Sequence, residues 1–166
     1  MLTKTWSSAI QGVDAYAVEV EVNATGAGNE NVTTVVGLPD TAVRESRERV
    51  WSALYTSGFI PPQGRTTVNL APADVRKEGA AFDLPIALGM IAATNEFDRD
   101  RLRSVMIVGE LALDGSVRPV HGALPMALHA RDRGLADVLV PAENAPEAGV
   151  VDGVNVFGVR HLLDAV

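Results

Sequence analysis

Residues 15–22, Ala-Tyr-Ala-Val-Glu-Val-Glu-Val, alternate between apolar and polar positions and predict a half-buried strand. A β-branched run at 32–36 predicts a second strand. The Gly/Asn-rich break over 25–31 reads as a hairpin connection joining the two as partners. The alternative for Gly26, Ala27 and Gly28 is a phosphate loop, but a strand pattern follows them rather than a helix whose N-terminus could hold an anion. Asp40 suits the N-cap of a helix from Thr41, with Val43, Val50, Ala53 and Leu54 as its apolar stripe and Gly58 as its stop.

A strand over 66–70 follows, and then a helix with Asp83 as cap and Pro85 in its first turn, where a missing N–H costs little. Phe82, just before that cap, is expected to pack back onto the first turn as a hydrophobic staple. From Leu84 to Ala93 the helix has almost no polar face, which marks it as the core. Residues 105–113 read as one strand, and Asp114-Gly115 as a two-residue hairpin turn into a strand over 117–120. An amphipathic helix over 123–133 stopped by Gly134, a strand over 136–140, a strand over 154–159 and a short helix over 160–166 complete an alternating α/β chain.

Composition narrows the function classes. The 166 residues fit one domain, and 47% hydrophobic content suffices for a full core. With no cysteine there are neither disulfides nor thiolate metal sites, which agrees with a reducing compartment. No run reaches the ~18 uncharged apolar residues of a membrane span, and Met1-Leu-Thr-Lys-Thr-Trp lacks the build of a signal peptide, so the reading is cytoplasmic, with no membrane partner. A net charge of −7 repels polyanions over much of the surface.

The residues that carry chemistry are few. Residues 69–89 run from a strand through a Gly-bearing turn into the apolar helix, a layout that presents a nucleophile, yet Gly79-Ala80-Ala81-Phe82 holds neither hydroxyl nor thiol. His121, His129 and His161 show no zinc-site spacing, so no metal is implied. His121 follows a strand and could serve as a base, against the simpler reading of a surface histidine. Of only two lysines, Lys4 and Lys77, neither sits in a Walker A context, so ATP is not bound by this chain. Lys77 lies four residues before Ala81. It reads as a solvated side chain at a strand end, the alternative being a relocated catalytic amine. The pairs Arg44/Glu48 and Glu45/Arg49 are i,i+4 neighbours on a solvated helix face, with a polyanion site as the lesser alternative.

Three motifs, Val36-Gly-Leu-Pro-Asp40, the 69–89 stretch and Val108-Gly-Glu-Leu-Ala-Leu-Asp-Gly-Ser-Val-Arg-Pro-Val120, resemble the N-terminal domain of bacterial magnesium-chelatase-like AAA+ ATPases of the ComM/YifB type. That domain is itself similar to the proteolytic domain of Lon proteases. The resemblance covers nearly all of residues 1–166 as a single Lon-like domain. It implies an α/β (α+β) fold of the ribosomal protein S5 domain 2 and Lon proteolytic type, a mixed sheet with packed helices.

In Lon-type peptidases the turn reads Gly-Pro-Ser-Ala-Gly with Ser as nucleophile, and Ala81 stands at that place here. The base Lys follows a strand ending in Pro-Ile-Gly-Gly-Leu-Lys, similar to 119–125 here, and Pro125 falls on it. A Ser/Lys dyad without either partner has no chemistry left. The resemblance therefore implies no catalytic residue and no cofactor in this domain, with ATP and Mg expected in an AAA+ module downstream of Val166. It further implies a hexameric ring in the full-length protein and a non-catalytic role in ring assembly or DNA engagement during DNA remodelling, such as branch migration in recombination of incoming strands. Arg44, Arg47, Arg76 and Lys77 are the basic residues expected to reach DNA. The alternatives are a Lon-type Ser/Lys peptidase, opposed by Ala81 and Pro125, and a stand-alone nucleic-acid-binding module, opposed by the acidic balance.

Overall fold

The computed structural model describes residues 1–94 and 97–166. Among the described residues, nine strands and six α-helices follow one another as β1 (Leu2–Gln11), β2 (Asp14–Ala24), β3 (Val32–Val36), α1 (Thr41–Thr56), β4 (Arg65–Ala71), α2 (Asp83–Ala93), α3 (Arg99–Leu102), β5 (Val105–Ile107), β6 (Glu110–Leu111), β7 (Val117–Arg118), α4 (Ala123–Asp132), β8 (Asp137–Pro141), α5 (Ala145–Ala148), β9 (Asn155–Val159) and α6 (Leu162–Ala165). Seven strands form one mixed sheet in the order β3-β4-β2-β1-β5-β8-β9, and β6 and β7 form a separate ribbon. Among the described residues no helix is long and apolar enough to cross a membrane. The mixed sheet with helices on it agrees with the fold class that the motifs imply.

The sheet separates two cores. On one face Val18, Val20 and Val22 of β2 and Val68 and Leu70 of β4 pack against α1 and α2. On the other, Met106, Val138 and Val140 pack against α4 and α5. Every residue of α2 is buried, as its continuous apolar run predicts. Gly89 is what lets α2 lie this close to the sheet: a Cβ there would sit 2.7 Å from Val22 Cγ2.

Four expectations are corrected. β2 and β3 are not hairpin partners, because β4 lies between them, antiparallel to β2 and parallel to β3. The 105–113 stretch is two strands: after β5 the chain leaves the main sheet, and β6 turns to pair with β7. The hairpin at Asp114-Gly115 has a three-residue loop, since Ala112 pairs with Ser116 and Gly115 takes a φ of +89°. β7 is correspondingly short. Finally, Asp83 is the first residue of α2 and Phe82 its cap, with no side-chain capping bond. Phe82 is fully buried in the core and not a staple ahead of the cap. By contrast Asp40 caps α1 as expected, its Oδ1 accepting from Val43 N at 2.7 Å.

Candidate functional site

The Gly79–Phe82 turn is fixed from both sides. Gly79 takes a φ of +83° and donates its N–H to Asp40 Oδ2 at 3.1 Å, so the cap of α1 also holds the turn before α2. Gly109 N donates to the Ala81 carbonyl at 2.9 Å, and Leu84 N to the Gly109 carbonyl at 3.0 Å. Two long motifs, 69–89 and 108–120, thus meet at Ala81.

Asp83 explains why the meeting is rigid. Its fully buried carboxylate receives Arg49 Nε at 2.6 Å and Nη2 at 3.1 Å, and Leu111 N at 3.1 Å. The fork-to-carboxylate geometry and the α2 N-terminus both favour the ionised form. Burial pushes the Asp83 carboxyl up, against the pull of Arg49, Ser46 and Leu111, while Asp83 in turn raises Arg49. Arg49 also donates to the Ala42 carbonyl at 2.8 Å, so one guanidinium ties α1 to the start of α2. The expected Glu45 partner stands at a looser 3.7 Å. Arg44 and Glu48 do not pair, and Glu48 instead meets Arg47 at 3.2 Å.

A cleft of about 560 Å³ opens at this turn, walled by the end of β1 from Ser8 to Gln11, by Tyr16, by Arg76 and Glu78 to Phe82, by Glu110, and by Pro119 to His121 with Met126. The structure therefore brings Ala81 to one cleft with Pro119, Val120, His121 and Met126, whereas Leu124 and Pro125 are not among its lining residues. The sixth residue of the 119–125 stretch is Leu124 and the seventh is Pro125, and neither carries an amine.

What remains in the cleft is a hydroxyl, a phenol, an imidazole and charged side chains. Ser8, a wall residue that the sequence reading missed, is buried and donates to the Tyr16 carbonyl at 3.1 Å. Nothing in the 1–11 pattern marks it, because the strand's inward side chains are polar. Tyr16 donates its hydroxyl to the Arg76 carbonyl at 3.0 Å, and burial, with the Glu78 charge, pushes the phenol up. His121 is exposed at the cleft wall.

The predicted basic residues do not form one group. Arg44 and Arg47 are exposed on α1, and Arg76 lines the cleft while meeting Glu78 at 3.5 Å. Lys77 is a correction: its side chain is fully buried and its ammonium donates to the Pro72 carbonyl. Its backbone pairs with Leu38 and Asp40, which turns the side chain inward. Burial lowers its pKa. Buried there, Lys77 cannot reach DNA from the surface, and it does not line the cleft.

Comparison with known proteins identifies the family. The family model for subunit ChlI of magnesium chelatase matches residues 18–144. The competence protein ComM of Haemophilus influenzae is 42% identical over 165 residues, 99% of this chain and 32% of that protein. The uncharacterized protein YifB of Escherichia coli is 41% identical over 151 residues, 91% of this chain and 29% of that protein. The Lon protease 2 of Bacillus subtilis is 27% identical over 158 residues, 86% of this chain and 28% of its own length. The chain belongs to the magnesium-chelatase-like AAA+ family, in its ComM/YifB type. It spans about a third of the length of these relatives.

Proposed function

We propose that this domain is a non-catalytic accessory part of a larger magnesium-chelatase-like AAA+ ATPase, one that supports hexamer assembly and engages DNA during its remodelling in recombination. The observation that supports the reading is the turn at the cleft: Asp40 and Gly109 hold it and it carries Ala81, which has no nucleophilic group, while Leu124 and Pro125, where the resembling motif has its lysine, have no amine. A turn kept rigid without its catalyst suits a scaffold. Kinship with a competence protein supports the link to incoming DNA. ATP and Mg belong, on this reading, to the module outside this chain, and the location is cytoplasmic.

The test is the full-length protein with and without residues 1–166, and with Arg44, Arg47 and Arg76 changed to Ala, measured by mass photometry and by binding to single-stranded and forked DNA. Deletion is expected to shift the hexamer toward smaller species or to weaken DNA binding at least tenfold. A ring gathers six weak contacts on one strand, so loss of the domain costs avidity rather than one bond. Unchanged assembly and unchanged DNA affinity would reject the accessory role.

A further inference from the structure

On the sheet face that carries α4, a half-buried tryptophan lies among basic side chains. Trp6 of β1 pairs with Met106 of β5 and so shares the α4 face. Arg133, just past the end of α4, lies over the Trp6 ring at 4.2 Å from its centroid. Arg103, in the turn before β5, flanks a hollow of about 370 Å³ together with Lys4, Trp6 and Glu19. Three segments distant in sequence thus bring an indole, two guanidinium groups and an ammonium to one spot.

The electrostatics there differ from those of the molecule as a whole. Lys4 is engaged by Glu19 at 3.3 Å and Glu21 at 3.1 Å, and those carboxylates hold its pKa up. Arg103 and Arg133 are exposed and, among the described residues, meet no carboxylate. The Trp6 indole N–H has no acceptor among the described residues, whereas Trp51 donates its own to Thr33 at 2.9 Å. An open N–H donor, a half-buried aromatic and two guanidinium groups without a carboxylate partner, one of them stacked on the ring, suit a ligand that repeats an anion and a planar ring. That is a nucleotide strand, recognised by stacking and phosphate contacts. Arginine over tryptophan already shows the stacking geometry that a base would extend.

We propose that Trp6, Arg103 and Arg133 form a contact site for single-stranded nucleic acid, on the sheet face away from α1. The inference rests on the DNA-engaging reading above and assigns that contact to a surface other than Arg44, Arg47 and Arg76. Lys4 pairs with Glu19 and Glu21 and so offsets their charge beside the site instead of binding the strand.

The test uses the 166-residue chain carrying Trp51→Phe, which leaves Trp6 as the sole tryptophan reporter. Titration with a thymidine oligonucleotide is expected to quench Trp6 emission. Arg103→Gln/Arg133→Gln should weaken binding at least fivefold and flatten the salt slope by about 1.4, roughly 0.7 for each phosphate contact on a single strand. Because both arginines are exposed, the melting temperature should stay within about 2 °C, in line with surface substitutions. A mononucleotide should not displace the strand, and displacement would overturn the site as a strand contact. If strand binding survives the double substitution but is lost on Arg44→Ala/Arg47→Ala/Arg76→Ala, the site is wrong and the DNA reading stands. If no variant and no wild-type chain binds, and the full-length protein also fails to bind DNA, both fail together.

Discussion

At the scale of single residues, the Arg49–Asp83 pair decides how α1, α2 and the β5–β6 link meet. Removing one partner of a buried ion pair strands the other charge, so Arg49→Met is expected to cost about 3 kcal/mol or more in urea denaturation. The double change Arg49→Met/Asp83→Leu should recover part of that loss, and a single-mutant loss below about 1 kcal/mol would mean the pair is not the tie described here. His129 gives a pH signature. Burial, with Arg133 beside it, lowers its pKa from 6.5, and its Nε2 has no partner. The folded state therefore binds this proton less well than the unfolded chain, so stability is complete above 6.5 and declines as pH falls through the window beneath it. His129→Gln should flatten the stability profile between pH 6.5 and roughly 5, above the range where carboxylates titrate. An unchanged profile would show that His129 is solvated. The sequence shows Asp83 and Arg49 only as a helix cap and a surface charge, because a pairing 34 residues apart leaves no periodic trace.

At the scale of elements, α1, α2, α4, α6 and most strands were legible because their buried faces are apolar, whereas the one-turn helices α3 and α5 were not. β1 was not, although it is central and pairs with both β2 and β5. Its inward residues Thr3, Thr5 and Ser7 are polar, and each hydroxyl is satisfied by a carbonyl: Gly89 at 2.9 Å, Leu102 at 3.0 Å and Ile107 at 2.7 Å. No hydrophobic period exists there to be read. The β2–β3 hairpin failed for the opposite reason: both strands were clear, but adjacency in sequence does not reveal an inserted strand. The motif Gly37-Leu38-Pro39-Asp40 can be tested at this scale. A Cβ on Gly37 would lie 2.1 Å from the Leu70 carbonyl oxygen, and φ is +109°. Gly37→Ala should therefore pry β3 from β4 at a cost on the order of 3 kcal/mol, seen as a lowered midpoint and faster amide exchange in β3. A midpoint within experimental error of wild type would contradict the close approach.

At the scale of the whole molecule, the cleft was legible in part: residues of the 69–89 and 108–120 motifs line it, and Asp40 of the third motif holds its turn by accepting from Gly79 N. What the sequence could not show is burial: Lys77, grouped with surface cations by its charge alone, is an interior side chain, and Ser8 is a cleft residue hidden in an unreadable strand. Ser8 is also the hydroxyl on which the non-catalytic reading is most exposed to refutation, because it lines the same cleft as His121. Its proton is committed to the Tyr16 carbonyl, however, and a nucleophile needs a base to take that proton. The direct test is intact-mass analysis after incubation with a serine-directed fluorophosphonate, run beside casein digestion, on the wild-type chain and on Ala81→Ser. The account predicts no adduct and no cleavage for either protein, because a serine at 81 still lacks an amine base. A stoichiometric adduct on Ser8, or cleavage of casein by the wild-type chain, would contradict it.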